Sequence, residues 1–431
     1  MTATGLAQSA ANWRAQQMEA SRQSEQIMHD AEARKGLLAQ LAVMQQAYAA
    51  NRDEAFRLIF GQYLSWYQSF AGDYPAAAES FAIKQVAMTD DHAAPSVDGY
   101  TPRNALDAIV QLASNRQLLL LNEAHNVVLT RSLSVQLLAP LRAEGFNYLA
   151  LETLYATDTA LVARGYPTQA SGFYTAEPVY AELVRSALKL GFHVIAYEAT
   201  DNVSGDAREA AQARNIQRGV FDRDPHARLI VVAGYGHIQK SGGYLGGHSM
   251  AWHLHKMSGI DALAIEQTML IPHPRASDNH PLYDALNATA ALSTPTVFVN
   301  PAGNPWTLRD GYDISVVFPP LGLRRGRPTW LTLGGLRVPD FVGAERCGAR
   351  IPCLVEARYA TEGDDAIPAD RMTLTALPLN AVSSQARGAD RGRASGELYL
   401  RPGAYRLRIS DVDDRVLFRQ DIRVAEGVAR P

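Results

Sequence analysis

Three patterns of apolar and polar positions succeed one another along the chain. Residues 1 to 95 read as a helical region packing on the core. In "ARKGLLAQLAVMQQAYAANRDEAFRLIFGQYLSWYQSF", Leu37, Leu38, Leu41, Met44 and Tyr48, then Phe56, Ile59, Phe60, Tyr63 and Tyr67, recur at helical spacing. Gly72-Asp73-Tyr74-Pro75 breaks the run, and the aromatic cluster Tyr63, Trp66, Tyr67, Phe70 and Tyr74 reads as packing rather than a ligand cage.

From 96 to 300, short apolar runs alternate with helical stretches. Strands are expected at "LLLLN" (118–122), "NYLALE" (147–152), "HVIAYE" (193–198), "RLIVVAG" (228–234) and "ALAIEQ" (262–267). Between them lie helical segments such as "EPVYAELVRSALKLG", with Pro178 near its start and Gly191 just past its end, and "DAREAAQARNIQRGVF". This rhythm predicts an α/β fold with a mostly parallel sheet flanked by helices on both faces. Residues 310 to 431 change again. "YDISVVF", "TWLTL", "CLVEARYA", "MTLTALPL", "GELYLR", "AYRLRIS" and "RVLFRQDIRV" predict a small antiparallel, sandwich-like β domain. Within it "ISDVDDRVLF" reads as a hairpin and "SSQARGADRGRASG" (383–396) as a mobile loop.

Composition narrows the partners. The 431 residues carry 47% hydrophobic and 20% charged side chains and a net charge of −3, which gives no electrostatic reason to expect nucleic acid. No apolar run approaches the ~20 residues that span a bilayer. "LAQSA" near the start has the small-residue look of a region beside a cleavage site, which favours a periplasmic or secreted location over the cytoplasm. Cys347 and Cys353 are the only cysteines, and a disulfide and a pair of free thiols both remain open readings.

The candidate chemistry lies at the strand ends. Four leucines, Leu118 to Leu121, run into Glu123 and His125. "GFNYLALET" and "GFHVIAYEA" each place a glutamate seven residues after a Gly-Phe start, giving Glu152 and Glu198, and "DALAIEQT" adds Glu266. "RLIVVAGYGHI" ends on His237. In a parallel sheet these ends line one edge, where open α/β folds bind ligands. One glutamate at a strand end is ordinarily solvated or caps a helix. Several at one structural position repel each other, and their cost has to be offset by cations, imidazoles or a shared proton. Arg131, Arg208 and Arg214 are the available cations. His253 and His255, two apart in a helix, point to opposite sides and make no joint ligand set, whereas His248 on the preceding Gly-rich loop is placed to reach the cleft.

"LLLLNEAHNVVLTRSLSVQLLAPLRAEGFNYLALE", "REAAQARNI" and "RLIVVAGYGHI" together resemble the superfamily of erythromycin esterase-like, ChaN-like haem-uptake and Tiki/TraB proteins. The resemblance covers roughly Leu118 to Glu266 and implies that Glu123, His125, Arg131, Glu152 and His237, with Glu198, take the family's site positions. The chain departs at Asn122, where the family has Gly, which bears on the geometry of the turn.

Three function classes fit these residues. The first is a hydrolase of ester or amide bonds, acting on a small-molecule or peptide substrate with His125 as base and His237 and Arg131 as acid or charge stabilisers. A variant uses Glu123, His125, Glu152 and His237 to hold a divalent metal ion (Mn, Co or Zn). The second is a protein binding haem non-covalently through His237 or Tyr235, and the third an interaction protein with an idle site.

Overall fold

The computed structural model describes residues 3–96, 98–200, 202–348, 350–375 and 395–426. Four helices come first: α1 (Ala3–Glu32), α2 (Leu37–Ala50), α3 (Glu54–Phe70) and α4 (Tyr74–Ser80). Asp53 and Asp73 cap α3 and α4, each accepting a backbone N–H from the first turn. The apolar stripe expected from the spacing closes a core of Leu38, Leu41, Met44, Phe56, Phe60, Leu64 and Tyr67.

Next come β1 (Thr101–Asn104), α5 (Ala105–Ala113), β2 (Leu118–Glu123), α6 (Leu129–Ala143), β3 (Tyr148–Leu151), α7 (Leu161–Arg164) and α8 (Pro178–Lys189). They are followed by β4 (His193–Ala196), α9 (Gly205–Ile216), β5 (Leu229–Gly234), α10 (Met250–Ser258), β6 (Leu263–Glu266), α11 (Pro281–Ala290), β7 (Thr296–Val299) and β8 (Ile314–Ser315). Six strands form one parallel sheet in the order β4-β3-β5-β2-β6-β8.

The leucine run explains how that sheet is covered. Successive strand residues face opposite ways, so Leu119 and Leu121 enter the core under α5, α6 and α8 while Leu118 and Leu120 enter the core under α9 and α10. Every residue of β2 and β5 is buried. That is why the run is continuous rather than alternating.

The C-terminal region adds a short hairpin of β9 (Leu323–Arg324) and β10 (Arg327–Pro328), then β11 (Val338–Gly343), β12 (Cys353–Tyr359), β13 (Asp370–Leu374), β14 (Ser395–Leu400), β15 (Gly403–Ser410) and β16 (Val416–Val424). The pair β11-β14 and the sheet β13-β12-β15-β16, all antiparallel, enclose a separate apolar core. The hairpin expected in "ISDVDDRVLF" is the β15-β16 turn. Cys347 and Cys353 are joined as a disulfide at the start of β12.

Two expectations are corrected. "YDISVVF" belongs to the parallel sheet, where Ile314 and Ser315 pair with Ile265 and Glu266, because its apolar residues are buried against that core rather than half-exposed. "TWLTL" is a 3-10 turn, Thr329–Thr332, stopped by Leu333 in the left-handed region. Of the loop expected at 383–396, residues 383–394 lie outside the described residues, and Ser395 and Gly396 open β14. Among the described residues no helix is long and apolar enough to cross a membrane.

The three parts are locked together through buried arginines. Arg185 of α8 makes a bidentate pair with Glu362 (both 2.7 Å), and Arg371 of β13 donates to the carbonyls of Phe70 and Ala176. Gly72 sits where the helices meet the β domain. A Cβ there would stand 1.9 Å from the Arg371 carbonyl oxygen, and its φ of 75° already favours glycine. Breaking a buried pair from one side leaves an uncompensated charge, so Arg185→Met is expected to cost about 3–5 kcal/mol. Denaturant unfolding of both proteins measures it, and an unchanged midpoint would mean the pair does not tie the domains.

Candidate active site

The parallel strands end side by side, and Glu123 pairs in register with Gly234. Glu123 is the last residue of β2 and fully buried. Arg131, on the first turn of α6, grips it through both oxygens at 2.8 Å. The same guanidinium reaches Glu177 at 3.3 Å and packs against the rings of Tyr174 and Tyr180, 5.1 Å from each. His125 turns back to place Nδ1 3.1 Å from Glu123. An ionised carboxylate only accepts, so the proton sits on Nδ1 and Nε2 is left for chemistry.

A second dyad faces the first. His237, in the 3-10 turn Tyr235–Ile238 after β5, donates Nδ1–H to Glu209 of α9 at 2.7 Å. Its Nε2 lies 3.6 Å from Glu152 and 3.3 Å from Arg208. Glu152 lies beside His237 and, like the His125 ring, faces Gly234. One oxygen accepts the Gly234 N–H and the other accepts from Arg208 at 3.3 Å. Gly234 is glycine for a steric reason. A Cβ there would stand 2.3 Å from His125 Nε2 and 3.1 Å from Glu152. Arg208 also spans Glu198, whose carboxylate accepts from Thr153 N–H and Gln212.

Burial and charge compete at each group. Burial alone would raise the Glu123 pKa, but Arg131 and His125 hold it at about 2. Burial likewise opposes ionisation of Glu152, and His125, His237, Arg208 and the Gly234 N–H outweigh it, so its pKa is lowered. For His237 burial disfavours the charged form, yet the Glu209 hydrogen bond and Glu152 carry its pKa above the ordinary value.

Glu123, His125, Glu152, Glu198 and His237 therefore come together as the strand-end pattern requires. Arg131 joins them from behind, fully buried, and does not reach the open side; that place belongs to Arg208, whose side chain is 28% exposed beside Glu198 at 24%. Arg214 is exposed on the far face of α9. Glu266 stays out of the cluster. Its carboxylate caps the turn at Thr268 and Met269 and accepts from Asn122. His248 does not reach the cleft, because it stacks on Trp252 at 3.9 Å and its backbone is held by Asp206.

The sequence reading missed Glu209, Tyr174 and Gly234. Glu209 sits beside Arg208 on a helix without an apolar stripe, and its one signal is Gln212 three residues on, sharing the buried face. The four residues expected to hold a metal do not fit one. Glu123 is spent on Arg131 through both oxygens, and Glu152 on Gly234 and Arg208. Among the described residues no group of three or more His, Cys, Asp or Glu side chains is arranged to hold an ion. Haem fares no better. Both His237 nitrogens are engaged, and Tyr235 packs on the His125 ring at 5.0 Å with its hydroxyl on Asn126.

No protein-family model and no curated protein matches the chain. Solved structures similar to it include the type III effector HopBA1, at 15% identity over 54% of this chain and 99% of that one, with a TM-score of 0.32. Another is RRSP, a MARTX toxin effector domain from Vibrio vulnificus CMCP6, at 15% identity over 53% of this chain and 51% of that one, with a TM-score of 0.28. A structure of bacterial protein toxins aligns at 14% identity over 59% and 63%, with a TM-score of 0.31.

Gly234→Ala is expected to push the His125 ring aside and cost about 1–3 kcal/mol, since its backbone is unstrained and only overpacking acts. A thermal melt and the ring-nitrogen NMR signals of His125 check this; an undisturbed His125 would show that the close approach is not needed. The Glu123 ion pair sets a pH window. With a folded pKa of about 2 below an unfolded value near 4.5, its stabilisation is present above pH 4.5 and lost as pH falls toward 2. The stability difference between wild type and Glu123→Gln should grow from pH 2 to 4.5 and then level off; a difference independent of pH would contradict it.

Proposed function

We propose that this protein hydrolyses ester or amide bonds by acid–base chemistry between His125 and His237. The observation that carries the reading is the paired arrangement: two imidazoles, each fixed through Nδ1 on its own buried carboxylate, with His237 Nε2 3.6 Å from Glu152 and His125 Nε2 against Gly234. The residue order along the chain, which resembles that of the erythromycin esterase-like superfamily, supports it.

His125 Nε2 takes a proton from water, and the water oxygen attacks the carbonyl carbon. Arg208, the cation on the open side, stabilises the oxyanion. Protonated His237 gives its Nε2 proton to the departing oxygen or nitrogen as the bond breaks. The raised pKa of His237 suits the acid, because the group has to carry its proton near neutral pH. Once deprotonated, His237 Nε2 accepts from Arg208 instead; His125 then releases its proton to solvent and His237 takes one up, which resets the site.

His125→Ala is expected to lower turnover of an ester substrate by ~10²–10⁴-fold with the fold intact. The pH profile is the finer test. The alkaline limb reports His237 losing its proton, so it should lie above pH 6.5 in wild type, and removing the Glu209 charge in Glu209→Gln should move it down. Full activity in His125→Ala, or a limb unmoved by Glu209→Gln, would contradict the assignment.

A further inference from the structure

Two cavities meet at Trp330. One, of about 510 Å³, is walled by α4, α11, the turn between β2 and α6 and the β9-β10 hairpin. The other, of about 730 Å³, continues it along α6. Leu129, Pro320, Leu321 and Trp330 line both. Each has the volume of a pocket for a small organic molecule. Neither is lined by a residue of the Glu–His cluster, and ligand binding here is independent of the hydrolase reading.

We infer that this site binds an organic amine, with an apolar or aromatic body against the rings and a protonated nitrogen toward α11. The apolar lining of the smaller cavity comes from Tyr74, Tyr283 and Trp330 and from five prolines. Tyr74 and Trp330 stand edge to face at 5.2 Å, and the prolines stiffen the walls, so the pocket is formed before a ligand arrives. Leu321 and Leu323 of the same lining are exposed, apolar surface that a ligand body would cover. The polar lining is rich in acceptors. Tyr283 is 3% exposed, and its hydroxyl has no hydrogen-bond partner. Asn287, one turn further along α11, donates its amide to the carbonyls of Tyr283 and Phe318 at 3.2 and 3.3 Å. Its buried Oδ1 is left free to accept. Two carboxylates add negative charge. Glu79 has no ion pair or side-chain hydrogen bond among the described residues, and Asp284 accepts from the Asn279 amide at 3.0 Å. No Lys or Arg lines either cavity, and burial lowers the pKa of His273, so it adds no positive charge. Acceptors, carboxylates and aromatic faces without a cation are completed by a ligand that brings N–H donors and positive charge. A carboxylate or phosphate ligand would be repelled by the same groups.

The test titrates the full chain near neutral pH with dansylcadaverine, an apolar dansyl ring carrying a protonated aliphatic amine. Its N-acetyl derivative, with the same body and no charge, is the control, and binding is read as the rise in dansyl fluorescence. Dansylcadaverine is expected to bind at least about five-fold more tightly than the control. The double variant Glu79→Gln/Asp284→Asn should remove that preference and leave affinity for the N-acetyl probe within about two-fold. Ala78 of α4 lines the smaller cavity, so Ala78→Trp should fill it and weaken both probes at least about ten-fold, with a thermal melt confirming the fold. Both carboxylates are exposed, so the double variant decides the matter even where Ala78→Trp does not fold. No saturable binding of dansylcadaverine below about 1 mM, equal affinity for the two probes, or a preference that survives the double variant would overturn the inference. So would unchanged binding of both probes to a folded Ala78→Trp protein, since the ligand would then sit elsewhere.

Discussion

The guanidinium of Arg131 is the charge on which the rest of the site depends. A fully buried cation is unfavourable unless carboxylates and hydrogen bonds surround it. Here Glu123 supplies two strong bonds and Glu177 a weaker one, with the rings of Tyr174 and Tyr180 packed nearby. Those partners come from the central strand and from the start of the covering helix. Glu123 ends β2, Glu177 caps α8 by accepting two of its backbone N–H groups, and Tyr74 of α4 donates to Glu177. One cation therefore ties the central strand, the covering helix and the N-terminal region, and in doing so holds Glu123 ionised for His125. The same geometry keeps Arg131 away from any substrate.

The second dyad solves the same problem with a different cation. Glu209 is as buried as Glu123, but one of its oxygens accepts from both His237 and the Met250 N–H while the other lies 3.8 Å from Arg208. Without a bidentate arginine behind it, the charge of Glu209 acts on the imidazole and raises its pKa. Glu123 spends most of its charge on Arg131 instead. Two similar Glu–His pairs thus differ in where their arginines sit.

Much of this was legible in the chain and some was not, for identifiable reasons. The leucine run declares a doubly covered strand because consecutive apolar residues have no solvent face to avoid. Glutamate recurring after the Gly-Phe strands marks one sheet edge, since parallel strands must end together. Glu266 shares that position but not the cluster, because β6 lies on the other side of β2 and its carboxylate turns to the Thr268 N–H. Position along a strand is readable, whereas the order of strands across the sheet is not. Glu209 was hidden because its helix is polar on nearly every face, so periodicity could not say which side was buried. Arg208 and Arg214 look alike in "REAAQARNI" and differ only in the face each presents. Tyr312 to Phe318 read as part of the β domain because a short apolar strand carries no mark of its partner.

The ends of β3 and β5 show how the site is kept in place. Thr153 and Tyr235, the residues after Glu152 and Gly234, have φ of 59° and 45°, left-handed values that cost side-chain-bearing residues energy. Both are held by bonds that a relaxed turn would lose. Thr153 N–H is on Glu198 and its hydroxyl accepts from Tyr174 N–H, the residue whose ring lies 4.6 Å from His125. The Tyr235 carbonyl accepts from the side-chain amide of Asn122, which also accepts from the Gln267 N–H. A glycine at position 122 would offer neither bond. The buried amide of Asn122 fixes the turn that carries Tyr235 against His125 and His237 toward Glu152.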